Sequence, residues 1–123
     1  MADAAEITEA VRRMRRKPGI GWRKHVATLA AEVADSEQVR VTYVVNYGRV
    51  VGLLLVTDAR LLFASTVGGR KFAEWPLADV QDARVASGLL YCGVEASLRS
   101  GAVLEFQDMH RRDAAELVAI LGG

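Results

Sequence analysis

The chain has 123 residues, 51% of them hydrophobic and 25% charged, which is ordinary for one globular domain with a sizeable core. Its net charge of +1 gives no global pull toward nucleic acid or an acidic partner. A single cysteine, Cys92, excludes an internal disulfide and a cysteine-rich structural zinc site, and no apolar run reaches the ~18 residues of a membrane helix.

In chain order, residues 3–16 predict a helix, with Ile7, Val11 and Met14 on one face, acids near its start and arginines near its end. Lys17-Pro18-Gly19 stops it. A second helix is predicted over 22–34, its stripe formed by Trp22, Val26, Leu29, Ala30 and Val33. From residue 38 the period changes to two. Val41, Tyr43 and Val45 alternate with Arg40, Thr42 and Val44, the pattern of a half-buried strand. Asn46 to Arg49 is a turn, Val50 to Val56 a second strand, and Leu61 to Ser65 a third. Past the Gly68-Gly69 turn come strands at Lys71–Trp75 and Val80–Val85, then a turn at Ala86-Ser87-Gly88. A sixth strand over Leu89–Leu98 bends at Gly93, and a seventh covers Ala102–Phe106. Asp108 is the expected cap of a last helix whose apolar face is Ala114, Leu117, Val118 and Leu121. The expected class is α+β, mainly β: a seven-stranded antiparallel sandwich or open barrel plugged by the C-terminal helix, with helices ahead of it.

The second strand carries a further expectation. Val50, Val51, Leu53, Leu54, Leu55 and Val56 are apolar on both faces, whereas a sandwich strand normally shows one face to water. Its outer face therefore needs a cover. The N-terminal helices are expected to cover part of it and a second copy of the chain the rest, since a bare apolar patch is a liability.

Catalysis has little support. His25 and His110 are both expected at the surface of helices, and no nucleophile elbow, phosphate loop or His-Glu-x-x-His motif is present. Cys92 reads as a buried, inert thiol. No catalytic, cofactor-binding or metal-ligating residue is assigned. The sharpest functional signal is the run of seven basic residues and no acid from Arg12 to Lys24. Such a cationic helix suits charge complementarity to a protein or an anionic membrane surface, with nucleic acid the least supported partner.

Three segments resemble the bacterial pleckstrin-homology-like domains. They are Gly52-Leu53-Leu54-Leu55-Val56-Thr57-Asp58-Ala59-Arg60-Leu61-Leu62-Phe63, Trp75-Pro76-Leu77-Ala78-Asp79-Val80 and Gly101-Ala102-Val103-Leu104-Glu105-Phe106. Glu37 also sits where those domains often carry a glutamate. The resemblance covers residues 36–121 and leaves 1–35 as an N-terminal helical extension. It implies a strongly bent seven-stranded sandwich capped by a helix. A binding or assembly role is implied and no activity; GRAM domains share the fold. Thr57, Asp58 and Arg60 are the signature positions and read as structural: Asp58 bonding its own turn, Arg60 pairing with Asp58 or packing its stem across the sheet. The headgroup loop of eukaryotic relatives would fall at Asn46–Arg49, which offers only Arg49, so phosphoinositide binding is not expected.

The expected function is a non-enzymatic module binding a protein or its own copies, with no cofactor. Its alternative is peripheral association with an anionic membrane. The candidate contact residues are Arg12, Arg13, Arg15, Arg16, Lys17, Trp22, Arg70, Lys71, Val51, Leu53 and Leu55. Lone Cys92 and the acidic N-terminus, which lacks a signal-like apolar core, lead us to expect a cytoplasmic location. The Ala/Val/Arg-rich bias suits a high-GC bacterial or phage source.

Overall fold

The computed structural model describes residues 4–15, 17–19, 21–65, 71–86 and 91–122. The expected residues Arg16 and Arg70, and the expected turns at Gly68-Gly69 and Ser87-Gly88, lie outside these. Helices α1 (Ala4–Arg12) and α2 (Trp22–Glu32) precede strands β1 (Val39–Tyr47), β2 (Val50–Thr57), β3 (Arg60–Ser65) and β4 (Lys71–Pro76). A single 3-10 turn at Leu77–Asp79 leads to β5 (Val80–Ala86), β6 (Tyr91–Leu98), β7 (Val103–His110) and helix α3 (Arg111–Ile120). The seven antiparallel strands form one curled sheet in the order β4-β3-β2-β1-β7-β6-β5.

Two apolar layers result. The inner one fills the concave side, where Leu54, Val56, Leu61, Phe63, Val94 and Phe106 meet Ala114, Leu117 and Leu121 of the plugging α3. Tyr47 packs its ring 5.3 Å from Phe63, 5.2 Å from Trp75 and 5.6 Å from Phe106, tying β1, β3, β4 and β7 together. In the outer layer, Ile7, Val11, Met14, Val26, Leu29 and Val33 lie on Val44, Leu53, Leu55, Leu62 and Ala64. Leu53 and Leu55 are fully buried there, so the cover that β2 requires comes from the chain's own helices. Only Val51, 43% exposed, reaches the surface from that strand's outer face.

Several expectations change. β1 is not half-buried: Thr42 and Val44 are as buried as Tyr43 and Val45, because the helices rest on the face that alternation assigned to solvent. The first helix ends at Arg12 rather than residue 16, closing with a tight turn in which Met14 N–H donates to the Val11 carbonyl at 3.1 Å. His25 is buried, not a surface residue, and burial lowers its pKa. Asp108 does not cap α3. β7 runs on through it in the left-handed region (φ 61°), and the cap is His110, whose Nδ1 accepts from Arg112 N–H at 3.1 Å.

The β1–β2 hairpin closes on Gly48 and Arg49, both with positive φ (59° and 67°), between the paired Tyr47 and Val50. Two left-handed central residues make a type I′ turn, which matches strand twist but strains any side chain. Arg49→Gly is therefore expected to stabilise the fold by roughly 0.5–1 kcal/mol, read as a raised urea midpoint with an unchanged slope.

Candidate functional site

A cleft of about 450 Å³ opens between the end of α1, the first half of β1 and one face of α3. This volume lies within the range of ligand-binding pockets. The turn that ends α1 buries Met14 and leaves the flanking Arg13 and Arg15 exposed over the opening. β1 contributes Arg40, Val41, Thr42 and Tyr43. Asp113, Glu116 and Ile120, spaced three and four apart, come from the same side of α3.

Charges cross the cleft on one side. Arg15 Nη1 donates to Asp113 Oδ1 at 2.7 Å and lies 3.8 Å from Glu116 Oε2, while the Tyr43 hydroxyl donates to Glu116 Oε1 at 2.5 Å. Burial, reinforced by that bond to a carboxylate, drives the Tyr43 pKa up, so Tyr43 remains a neutral donor. The hydrogen bond that Arg15 donates to Asp113 raises the Arg15 pKa further. Asp113 is itself buried in the first turn of α3, where the helix dipole favours an acid. Arg13 and Arg40 are exposed, and the guanidinium of neither meets an acid or another hydrogen-bonding partner among the described residues. Three arginines thus face two carboxylates.

Of the expected contact residues, the cleft brings together only Arg13 and Arg15. Arg12 pairs loosely with Glu9 at 3.6 Å, and Lys17 Nζ donates to the Arg12 carbonyl. Trp22, Val51 and Leu53 line a separate apolar pocket of about 110 Å³ with Pro18 and His25, and the Arg23 guanidinium lies 4.8 Å over the Trp22 ring. Leu55 is enclosed beneath the helices. Lys71 lines a separate open groove of about 550 Å³ with Arg49, Glu105 and Gln107. The cleft residues that sequence reasoning passed over are Tyr43 as a polar group, Arg40, Asp113 and Glu116. One signal was present: Asp113 precedes Leu117 by four residues and so falls on the apolar stripe of α3, an uncommon place for an acid without a partner.

The Thr57-Asp58-Ala59-Arg60 corner is structural, by contacts other than those expected. Arg60 does not turn to Asp58. Its Nε and Nη2 donate to Glu37 at 2.7–3.1 Å, Nη2 donates also to the Glu32 carbonyl, and Nη1 donates to Glu74. Glu37 also accepts from Ala34 N–H at 3.0 Å and from the Thr57 hydroxyl at 2.7 Å. The corner itself is braced by Thr57 Oγ1, which accepts from Ala59 and Arg60 N–H at 3.1 Å. Asp58 instead bonds across to Gln38 N–H at 3.0 Å. The Arg60 fork holds the Glu37 carboxyl at about 2, well below the usual carboxylate range. Among the described residues no cluster of three or more His, Cys, Asp or Glu is arranged to hold a metal, and no helix is long and apolar enough to cross a membrane.

A scan of family models and a search of curated proteins gave no match. Among solved structures, the chain is similar to a DUF1696 family protein with a pleckstrin-homology domain from Shewanella loihica PV-4. That likeness has a TM-score of 0.56 at 14% identity and covers 84% of this chain and 98% of the other. At that identity the likeness concerns architecture alone, and the strand order, the curl and the plugging helix agree with it: the chain has a pleckstrin-homology-like fold.

Proposed function

We propose that the chain is a non-enzymatic interaction module that binds a protein partner through the cleft between α1, β1 and α3. One observation carries this reading. The cleft combines a defined volume with two arginines, Arg13 and Arg40, whose guanidinium groups have no partner among the described residues, beside a hydrogen-bonded wall that needs none. The strongly perturbed carboxylate, Glu37, is locked in a corner contact away from the cleft, so it is not poised for proton transfer.

Self-association and membrane binding draw less support. β2, the reason to expect a second copy, is covered by α1 and α2. The apolar stripe of α1 is spent in the same layer, which leaves only charge to hold a membrane. The test is selection of a random eight-residue peptide library on the full chain. In parallel, the chain is weighed by light scattering and sedimented with vesicles containing anionic phosphatidylserine. Discrete enriched peptides, a monomeric mass and no more sedimentation than with neutral vesicles are expected. Sedimentation lost on neutralising Arg12, Arg13 and Arg15, with no peptide enriched, would replace this reading with the membrane one.

A further inference from the structure

The cleft wall contributed by β1 has an unusual make-up: Arg40, Val41, Thr42 and Tyr43 are consecutive residues. Successive residues of a strand point to opposite faces, so four in a row can line one cavity only if the cavity lies along the strand's edge. Sheet pairing agrees. On its β2 side β1 is paired from Val39 to Tyr47 except at Arg40, which a bulge between Val39 and Val41 leaves without a β2 partner. On its other side it meets β7 in register only at Asn46↔Gln107. From Arg40 to Val45 that edge pairs with no strand among the described residues, and α3 stands off across the cleft. An unpaired edge is a template for one more strand.

We infer that the partner enters as an extended acidic segment that adds to the free edge of β1 and places carboxylates on Arg13 and Arg40. This rests on the reading of the cleft as a protein-binding site and names its ligand. Three features favour this occupant. Three arginines against two carboxylates leave the cleft positive, and the two free arginines are exposed at its rim. Half-buried Val41 and Ile120 offer apolar surface between the walls for an alternate side chain. Thr42, 1% exposed, carries the one buried hydroxyl among the described residues that lacks a hydrogen-bond partner, and it belongs to this same wall. A buried polar atom left so is disfavoured, and an incoming strand brings backbone donors and acceptors to its side of β1.

The library of the preceding section decides the matter on the full chain. Enriched peptides are expected to carry Asp or Glu and to lack proline. Binding should fall at least about tenfold in the Arg13→Glu/Arg40→Glu double variant, whose exposed positions leave the fold intact by melting temperature. N-methylation of alternate peptide amides, which keeps every side chain, should weaken binding by a similar factor. Amide exchange should slow within Arg40–Tyr43 when peptide is bound. The inference is overturned if the enriched peptides are not acidic, bind the double variant or the N-methylated forms equally well, or protect amides elsewhere, such as around Trp22 and Val51. In those cases the protein-binding reading survives. A library that yields no peptide overturns both.

Discussion

Gly52→Ala is expected to cost about 3 kcal/mol or more and to lower the melting temperature by roughly 10–15 °C. A methyl group at Gly52 would lie 2.4 Å from the Ala64 carbonyl oxygen and 2.8 Å from the Phe63 ring. The nearer obstacle is backbone, so no rotamer change relieves it. Phe63 is fully buried among Tyr47 and the inner core and has no room to withdraw. Regular β2–β3 pairing begins one residue later, at Leu53↔Ala64, so Gly52 marks where the two strands cross at close range. Gly19→Ala is the control, since nothing lies within 4 Å of its added atom. Thermal unfolding of both variants followed by circular dichroism tests the difference; equal melting temperatures would refute it.

The second large effect concerns the Glu37–Arg60 corner and its response to acid. The Glu37 carboxyl is held at about 2, against an ordinary 4.5. A carboxylate depressed in the folded state adds stability above its unfolded pKa, and that stability drains away as pH falls toward the folded value. The window is therefore pH 4.5 down to 2. Glu37→Gln is expected to lose roughly 2–3 kcal/mol at pH 7, because Arg60 keeps its charge with only a fifth of its side chain exposed. Between pH 4.5 and 2 the wild-type chain should lose stability that the variant no longer has to lose, and the two urea midpoints should converge. Parallel curves would show that the corner does not hold the charge described here.

How far the sequence spoke depended on the range of the signal. Period-two alternation located the strands, and the apolar run of β2 announced a covered outer face. Alternation misjudged β1 because Thr42 is polar yet buried and Val44 beside it is covered by the N-terminal helices, and no local pattern says which residues the fold will cover. The closing helix was recognisable from Ala114, Leu117 and Leu121. Its start was not, since Asp108 is a better cap than His110 by type, and only the extension of β7 through Asp108 to His110 displaces it. Within the cleft, Arg13 and Arg15 stood out as members of a basic run. Their counterparts did not: Asp113 lies 98 residues from Arg15, a separation across which one sequence carries no pairing information. Glu37 and Arg60 were each conspicuous, but their union depends on the chain returning 23 residues later to the same corner.

The two layers of the core also differ in when they become available to a growing chain. Every residue of the outer layer lies between Ile7 and Phe72, so it can assemble once β4 has left the ribosome. The inner layer draws on Val41 through Leu121 and waits for the last helix. A nascent chain that ends after β4 thus has one finished face, while Leu54, Val56, Leu61 and Phe63 stand bare on the other. β1 must hold its place until β7, made some 60 residues later, reaches it at Asn46. Non-local closure of this kind is slow. The helices ahead of the sheet shorten the hazard: by sealing the outer face early, they leave a half-made molecule one apolar surface to protect instead of two.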